Sequence, residues 1–264
     1  MRGVCGKLNW VSREGMPQGA GDASLLSGTL PQPKVKDLTE ANAALRRLLQ
    51  NDCPIKIRPI PLENIRLLDF GDASLGNAGE GKSQIAHMIC ATDKVIFEGE
   101  EAEVSILTYK SHRNPRAGSS TLLVESQALS ESLADAEWVA CWIGLAKSLD
   151  YDLRKRHSLN REIKITSIMS TPESDLAQAV VTDAKSLYDS LNQEQFTGAE
   201  KRAALEICVI RDSLESMGGK ARWVPHQENP VDCLTKLKGN TQRLLQLMKE
   251  AKYRLVEEAK ELAD

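Results

Sequence analysis

Ile65-Arg-Leu-Leu-Asp-Phe-Gly-Asp72 is the stretch on which the fold turns. Side chains of a strand alternate between two faces, so Leu68, Phe70 and Asp72 share one face and an acid closes an apolar row. Two more strand-like runs follow, Ser83 to Ala91 and Val104 to Ser111, separated by the polar, acidic segment Thr92–Glu103. Connections this short predict an antiparallel meander.

Working downstream, the period changes from two to three or four. Leu122, Glu125, Leu129, Leu133, Ala136 and Ala140 recur at helical steps, with Ser119 and Ser120 as N-cap candidates. Ala179 to Asp183 is a short apolar run ending in an acid, which predicts a buried strand. Ala184 to Leu191 reads as a helix, and Ala203, Ile207, Ile210, Leu214 and Met217 form another helical stripe stopped by Gly218 and Gly219. Ala221 to Pro225 reads as a last strand. Asn229-Pro230 then predicts a helix start, and Thr241 to Leu262 a long amphipathic helix. Three strands, a helix, then alternating strand and helix predict an α/β fold with a mixed sheet flanked by helices.

Upstream the pattern is poorer. Gly15, Pro17, Gly19, Gly21, Gly28, Pro31 and Pro33 give residues 11–35 the look of a loop. Asp37 to Leu49 predicts one amphipathic helix with Asp37 as its N-cap, and Pro54, Pro59 and Pro61 mark a boundary. The chain therefore divides into 1–60, 61–240 and 241–264.

Composition narrows the class. Of 264 residues, 41% are hydrophobic and 27% charged, and no run approaches the roughly 18 apolar residues of a membrane helix. The expectation is a soluble intracellular protein without a membrane partner, cytoplasmic or nuclear. Six scattered cysteines without a C-x-x-C pair argue against zinc ligation by thiols and against a disulfide framework. A net charge of −3 does not advertise a nucleic-acid binder, although a local basic patch acts within about 10 Å and needs no basic total.

Four acids stand where elements begin or end: Asp72, Glu125, Asp183 and Asp232. Any single acid is ordinarily a solvated charge, Asp232 could simply favour a first helical turn, and Glu131 and Glu137 compete with Glu125 on the same helix. Asp69 lies on the opposite strand face from Asp72. Together, carboxylates crowded at strand ends repel unless cations offset them, and Mg²⁺ prefers such hard oxygen donors. Two such ions about 4 Å apart carry out phosphodiester hydrolysis.

The segments around these acids resemble a known family. Leu68-Asp-Phe-Gly-Asp-Ala-Ser74 with Gly81-Lys-Ser-Gln84, then Ser119-Ser-Thr-Leu-Leu-Val-Glu-Ser-Gln-Ala-Leu129, are similar to the first-strand and Glu-helix segments of RNase H domains in copia-type LTR retrotransposon Pol polyproteins. Thr182-Asp-Ala-Lys-Ser-Leu-Tyr-Asp189 and Trp223-Val-Pro-His-Gln-Glu-Asn-Pro-Val-Asp-Cys-Leu-Thr-Lys236 resemble its third-acid and closing segments. The resemblance spans roughly 61–240. It implies a ribonuclease H-like fold and Mg²⁺-dependent endonucleolytic cleavage of the RNA strand of an RNA–DNA hybrid, with Mn²⁺ as a substitute ion. It assigns Asp72 as the bridging ligand, Glu125 and Asp183 to one ion and Asp232 to the other, with His226 assisting proton transfer.

Residues 1–60 resemble, more weakly, the thumb and connection end of a reverse transcriptase, which makes the rest of a polyprotein an expected partner. No Tyr-x-Asp-Asp motif is present, so polymerase activity is not expected of this chain. Ser74, Ser83, Gln84, Lys110, Arg113, Arg116 and Ser119 are candidates for contacting the hybrid's 2′-hydroxyls and phosphates. A second basic cluster is Arg154, Lys155, Arg156, Arg161 and Lys164, in the long polar connection 150–175. The competing function is a catalytically inactive nucleic-acid-binding remnant. An integrase or a sugar-kinase-like ATPase on the same fold is a third, opposed by the missing His/Cys segment and phosphate loops.

Overall fold

The computed structural model describes residues 1–148, 150–152, 154, 165–171, 183–192 and 200–255. Within 165–171 and 183–186 it is the backbone that is described, Ile168 apart. The expected meander is present as β1 (Ile65–Ser74), β2 (Gln84–Asp93) and β3 (Ala102–Arg113), each strand antiparallel to the next. A 3-10 helix, Lys94–Glu98, fills most of the acidic connection between β2 and β3. Three further strands complete the sheet: β4 (Ile165–Thr171), β5 (Lys220–Pro225) and β6 (Lys252–Tyr253). Strand order is β5-β4-β1-β2-β3-β6, with β4 parallel to both β1 and β5.

The strand beside β1 therefore comes from a different place than expected. Ile165–Thr171 lies within the stretch read as a polar connection, and its alternation of Ile165, Ser167 and Met169 with Thr166, Ile168 and Ser170 was masked by the charged residues preceding it. Most of the expected strand 179–183 lies outside the described residues. Asp183 itself begins a helix.

Four helices belong to the sheet: α4 (Thr121–Lys147), α5 (Asp183–Asn192), α6 (Lys201–Ser216) and α7 (Gln242–Glu250). Ser120 caps α4, its hydroxyl accepting from the Leu123 N–H at 3.1 Å. The two faces of β1 choose different partners. Leu67 packs with Ile89 under Leu129, Leu133 and Ala136 of α4, backed by Leu187 of α5 and Ile207 and Ile210 of α6. Leu68 and Phe70 face the opposite layer, made by Val231, Leu234, Leu244, Met248 and Tyr253. This is the mixed sheet flanked by helices expected from the sequence.

Two expectations at the C-terminal end are corrected. Asn229-Pro230 opens only a 3-10 turn, Asp232–Leu234, because Asn229 turns its side chain back onto the chain and onto β1. The predicted helix Thr241–Leu262 stops at Glu250, where Ala251 adopts φ +51° and the chain continues as β6 against Ala102 and Glu103 of β3. Tyr253 stacks edge-on against Phe70 with ring centroids 5.1 Å apart, so this segment belongs to the core.

The N-terminal stretch is also more ordered than its glycines and prolines suggested. It folds as α1 (Arg2–Glu14), α2 (Ala20–Ser27) and α3 (Val35–Gln50) around Cys5, Leu8, Ala23, Leu26, Ala41, Ala44 and Leu48. Lys34, not Asp37, is the N-cap of α3; Asp37 sits at its third position and accepts from the Lys34 N–H at 2.8 Å. Gly19 and Gly21 permit close approach and not turning. A Cβ on Gly21 would lie 2.7 Å from the carbonyl oxygen of Leu234, and one on Gly19 would meet Ser12 and Leu48. No described helix is long and apolar enough to cross a membrane.

Candidate active site

Asp72 lies near the end of β1, on the Leu68–Phe70 face, and is 6% exposed. The chain brings a second acid to it through the closing segment 229–236. Asn229 Nδ2 donates to the Gly71 carbonyl at 2.9 Å, and the Val231 N–H donates to Asn229 Oδ1 at 3.1 Å. This fixes the 3-10 turn, after which the Thr235 hydroxyl, itself buried, bonds to both Asp72 Oδ2 and the Asp232 carbonyl. Asn77 Nδ2 holds the Thr235 carbonyl at 2.6 Å and the Ser111 hydroxyl holds that of Leu234 at 2.5 Å. The turn is thus tied to β1, to the β1–β2 loop and to β3.

Burial pushes the Asp72 carboxyl up to about 8, and the negative charge of Asp232 adds to the effect. The Thr235 hydroxyl and the Lys236 ammonium pull the other way without cancelling it. Asp232 has cationic neighbours of its own: Oδ1 lies 3.1 Å from His226 Nε2 and also pairs with Lys236 Nζ. His226 Nε2 and Lys236 Nζ are 3.2 Å apart. Beside this group opens a polar cleft of about 300 Å³, lined by His226, Asn229, Asp232, Gln242, Arg243 and Gln246.

Of the expected site residues, Asp72, Asp232 and His226 are therefore brought together. Glu125 is buried near the start of α4, the helix on the other face of the sheet. Its competitor Glu131 is engaged by Lys110 and His112 on that other face, away from Asp72. Asp183 starts α5, and its side chain lies outside the described residues. Among the described residues, Asp72, Glu125 and Asp232 do not make a three-ligand cage; the group of that kind is His87, Glu131 and Asp135.

The expected hybrid-contacting residues divide. Ser83 and Gln84 are buried in the fold's own network: Ser83 Oγ accepts from the Gly76 N–H at 3.2 Å, and Gln84 Nε2 bonds to Ser24 and Ser111 hydroxyls at 2.7 and 2.9 Å. Lys110, Arg113 and Arg116 each pair with an acid, Glu131, Glu80 and Glu206 respectively. Ser119 donates to Glu200 at 2.6 Å, and Ser74 is half-buried at the end of β1. Of the second basic cluster, Arg154 pairs with Asp152 and the other four lie outside the described residues.

Sequence reasoning missed Asn229, Thr235 and Lys236. All three sit inside the closing segment whose acid it singled out, and a threonine three residues after that acid was the available signal.

A mixed sheet that delivers one buried acid from its central strand and a second from a C-terminal turn defines the class: an α/β protein with an acidic site at a strand end. No protein-family model and no curated protein matches the chain. Among solved structures, RNase H1 from the halophilic archaeon Halobacterium salinarum aligns at TM-score 0.39 and 13% identity, over 68% of this chain and 97% of that one. The foamy viral protease-reverse transcriptase, solved in complex with an RNA/DNA hybrid, aligns at TM-score 0.32 and 12% identity, over 83% of this chain. The alignment spans 28% of that larger protein.

Proposed function

We propose that this chain hydrolyses the RNA strand of RNA–DNA hybrids, as the RNase H part of a copia-type retrotransposon reverse transcriptase. One observation carries the reading: the closing segment seats Asp232 beside buried Asp72 under a shared threonine. A buried carboxylate with a second one beside it is a set of hard oxygen donors of the kind Mg²⁺ takes. Asp72, Asp232, Glu125 and Asp183 are the residues that would hold it. Bound there, a pair of such ions supplies an activated water and stabilises the leaving 3′-oxygen.

The chain's own groups have separable tasks. Thr235 fixes the direction of the Asp72 carboxylate. His226, 3.1 Å from Asp232, is placed to carry a proton between the site and the open cleft. Ser74, Lys110, Arg113, Arg116 and Ser119 remain the candidates for guiding the hybrid's backbone, the three cations by exchanging a carboxylate partner for phosphate. Helices α1–α3 would be the end of the reverse transcriptase, with the rest of a polyprotein as a partner.

A second reading draws on Lys236, whose ammonium already neutralises Asp232, as expected of a fold that binds nucleic acid without cutting it. Cleavage of an end-labelled RNA–DNA hybrid in Mg²⁺ tests both, with wild type beside Asp72→Asn. RNA-strand cutting by wild type, lost in the variant, supports the first. Binding without cutting, in Mg²⁺ or Mn²⁺, supports the second and overturns the first.

A further inference from the structure

Across the sheet from Asp72, α4 closes over a second cluster of titratable side chains. His87 stands on β2 opposite Lys110 of β3, and His112 follows two residues later on the same face. Glu131 and Asp135, one helical turn apart on α4, come down onto them. The ligand atoms of His87, Glu131 and Asp135 all lie within 4.8 Å of one another. His112 Nε2, 3.1 Å from Glu131 Oε1, holds the same carboxylate from β3.

We infer that this cluster is a transition-metal site, distinct from the candidate active site, that fastens α4 to β2 and β3 and takes Zn²⁺ or an ion of similar preference. The second observation is the state of His87. It is 2% exposed, and its Nε2 lies 2.9 Å from Asp135 Oδ2 in a direction that forms no hydrogen bond. A buried imidazole nitrogen beside carboxylates but without a well-directed hydrogen bond is costly unless a further group completes its bonding. His112 has its other nitrogen, Nδ1, buried and unbonded as well.

The donor set selects the ion. One imidazole with two carboxylates and an open fourth position suits Zn²⁺, Ni²⁺ or Cu²⁺, whereas Mg²⁺ and Ca²⁺ favour all-oxygen sites. Zn–N and Zn–O bonds of about 2.0–2.2 Å in a tetrahedron place ligand atoms roughly 3.4 Å apart, so contraction of the present spacing needs only small side-chain rotations. Lys110 Nζ, 2.5 Å from Glu131 Oε1, is the cation the ion would displace.

The test is titration of the metal-free full chain with Zn²⁺ by calorimetry and with Co²⁺ by its visible absorption. Both use a Cys208→Ser background, which removes the exposed thiol. With Mg²⁺ in excess to fill all-oxygen sites, one ion per chain is expected, with tetrahedral Co²⁺ bands and a raised melting temperature. Asp135→Asn and Glu131→Gln should weaken binding by at least about tenfold. Lys110→Met should tighten it, whereas in a purely structural ion cluster that change would only destabilise. Asp135 is half exposed, so its variant carries the test if His87→Gln fails to fold. No binding, or binding indifferent to Asp135→Asn, would overturn the assignment. Because the readout is metal affinity, this result stands apart from hybrid cleavage.

Discussion

Asp72→Asn should abolish cleavage and yet stabilise the protein at neutral pH. A carboxyl held at about 8 in the folded chain, against an ordinary 3.8, favours its protonated form. The stability linked to it is therefore present in full below about pH 4 and is lost progressively as pH rises toward 8. The interval is about four pH units, each worth about 1.4 kcal/mol, which sets an upper limit of about 6 kcal/mol. Relaxation and water entry around the ionised carboxylate reduce the effective penalty, and a gain of about 2–3 kcal/mol is expected for asparagine above pH 8. Asparagine keeps the shape and still accepts from the Thr235 hydroxyl, so little packing is lost. For a chain of this size the gain raises the melting temperature by roughly 4–10 °C. The assay is thermal or urea unfolding of both proteins from pH 4 to 9 in the presence of a chelator. The two should unfold alike near pH 4 and diverge with rising pH, and Mg²⁺ should then narrow the gap by stabilising wild type. A variant equally or less stable than wild type at every pH would refute the electrostatic account of the site.

Three further outcomes follow from single contacts. Thr235→Val removes a donor from buried Asp72, pushing its carboxyl higher still; the loss should be small at pH 4 and about 1–3 kcal/mol above pH 8, with weakened cleavage, as paired unfolding and rate profiles would show. Gly21→Ala drives a methyl against the Leu234 carbonyl, so about 1–3 kcal/mol of overpacking and reduced cleavage are expected together, read by melting and hybrid assay. Tyr253→Ala empties a core position beneath Phe70 and Arg243 and should cost about 3–5 kcal/mol in urea unfolding, a loss an exposed tail residue would not produce.

What could be read in advance followed from periodicity. The meander, α4 with its Ser120 cap, and the stripe of α6 all bury one regular face, and regular burial leaves a pattern in the residues. Asp72 and Asp232 were legible because each interrupts apolar sequence at an element's end. The rest depended on partners distant in the chain. Gly19 and Gly21 look like turn residues until Leu48 and Leu234 are seen against them. Asn229 looks like an N-cap until its amide is seen on Gly71. Ser83 and Gln84 look like polar contacts for a ligand, but both are buried, the Ser83 hydroxyl accepting from Gly76 and the Gln84 amide donating to Ser24 and Ser111. The cluster of His87, Glu131 and Asp135 had no local signature, since its ligands come from two elements that meet only in the folded chain.

The contact of Gly21 with Leu234 has a consequence for how this protein can be divided. The prolines at 54, 59 and 61 invite a cut, and everything after them contains the sheet and both acids of the site. A chain trimmed at that point would keep its carboxylates but lose the surface on which the turn bearing Asp232 rests, along with the bond from the Lys238 N–H to Asp22. Helices α1–α3 are in that sense a mould for the site and not a neighbour of it. Any genetic rearrangement that passes on the sheet alone would pass on both acids without the means of placing them.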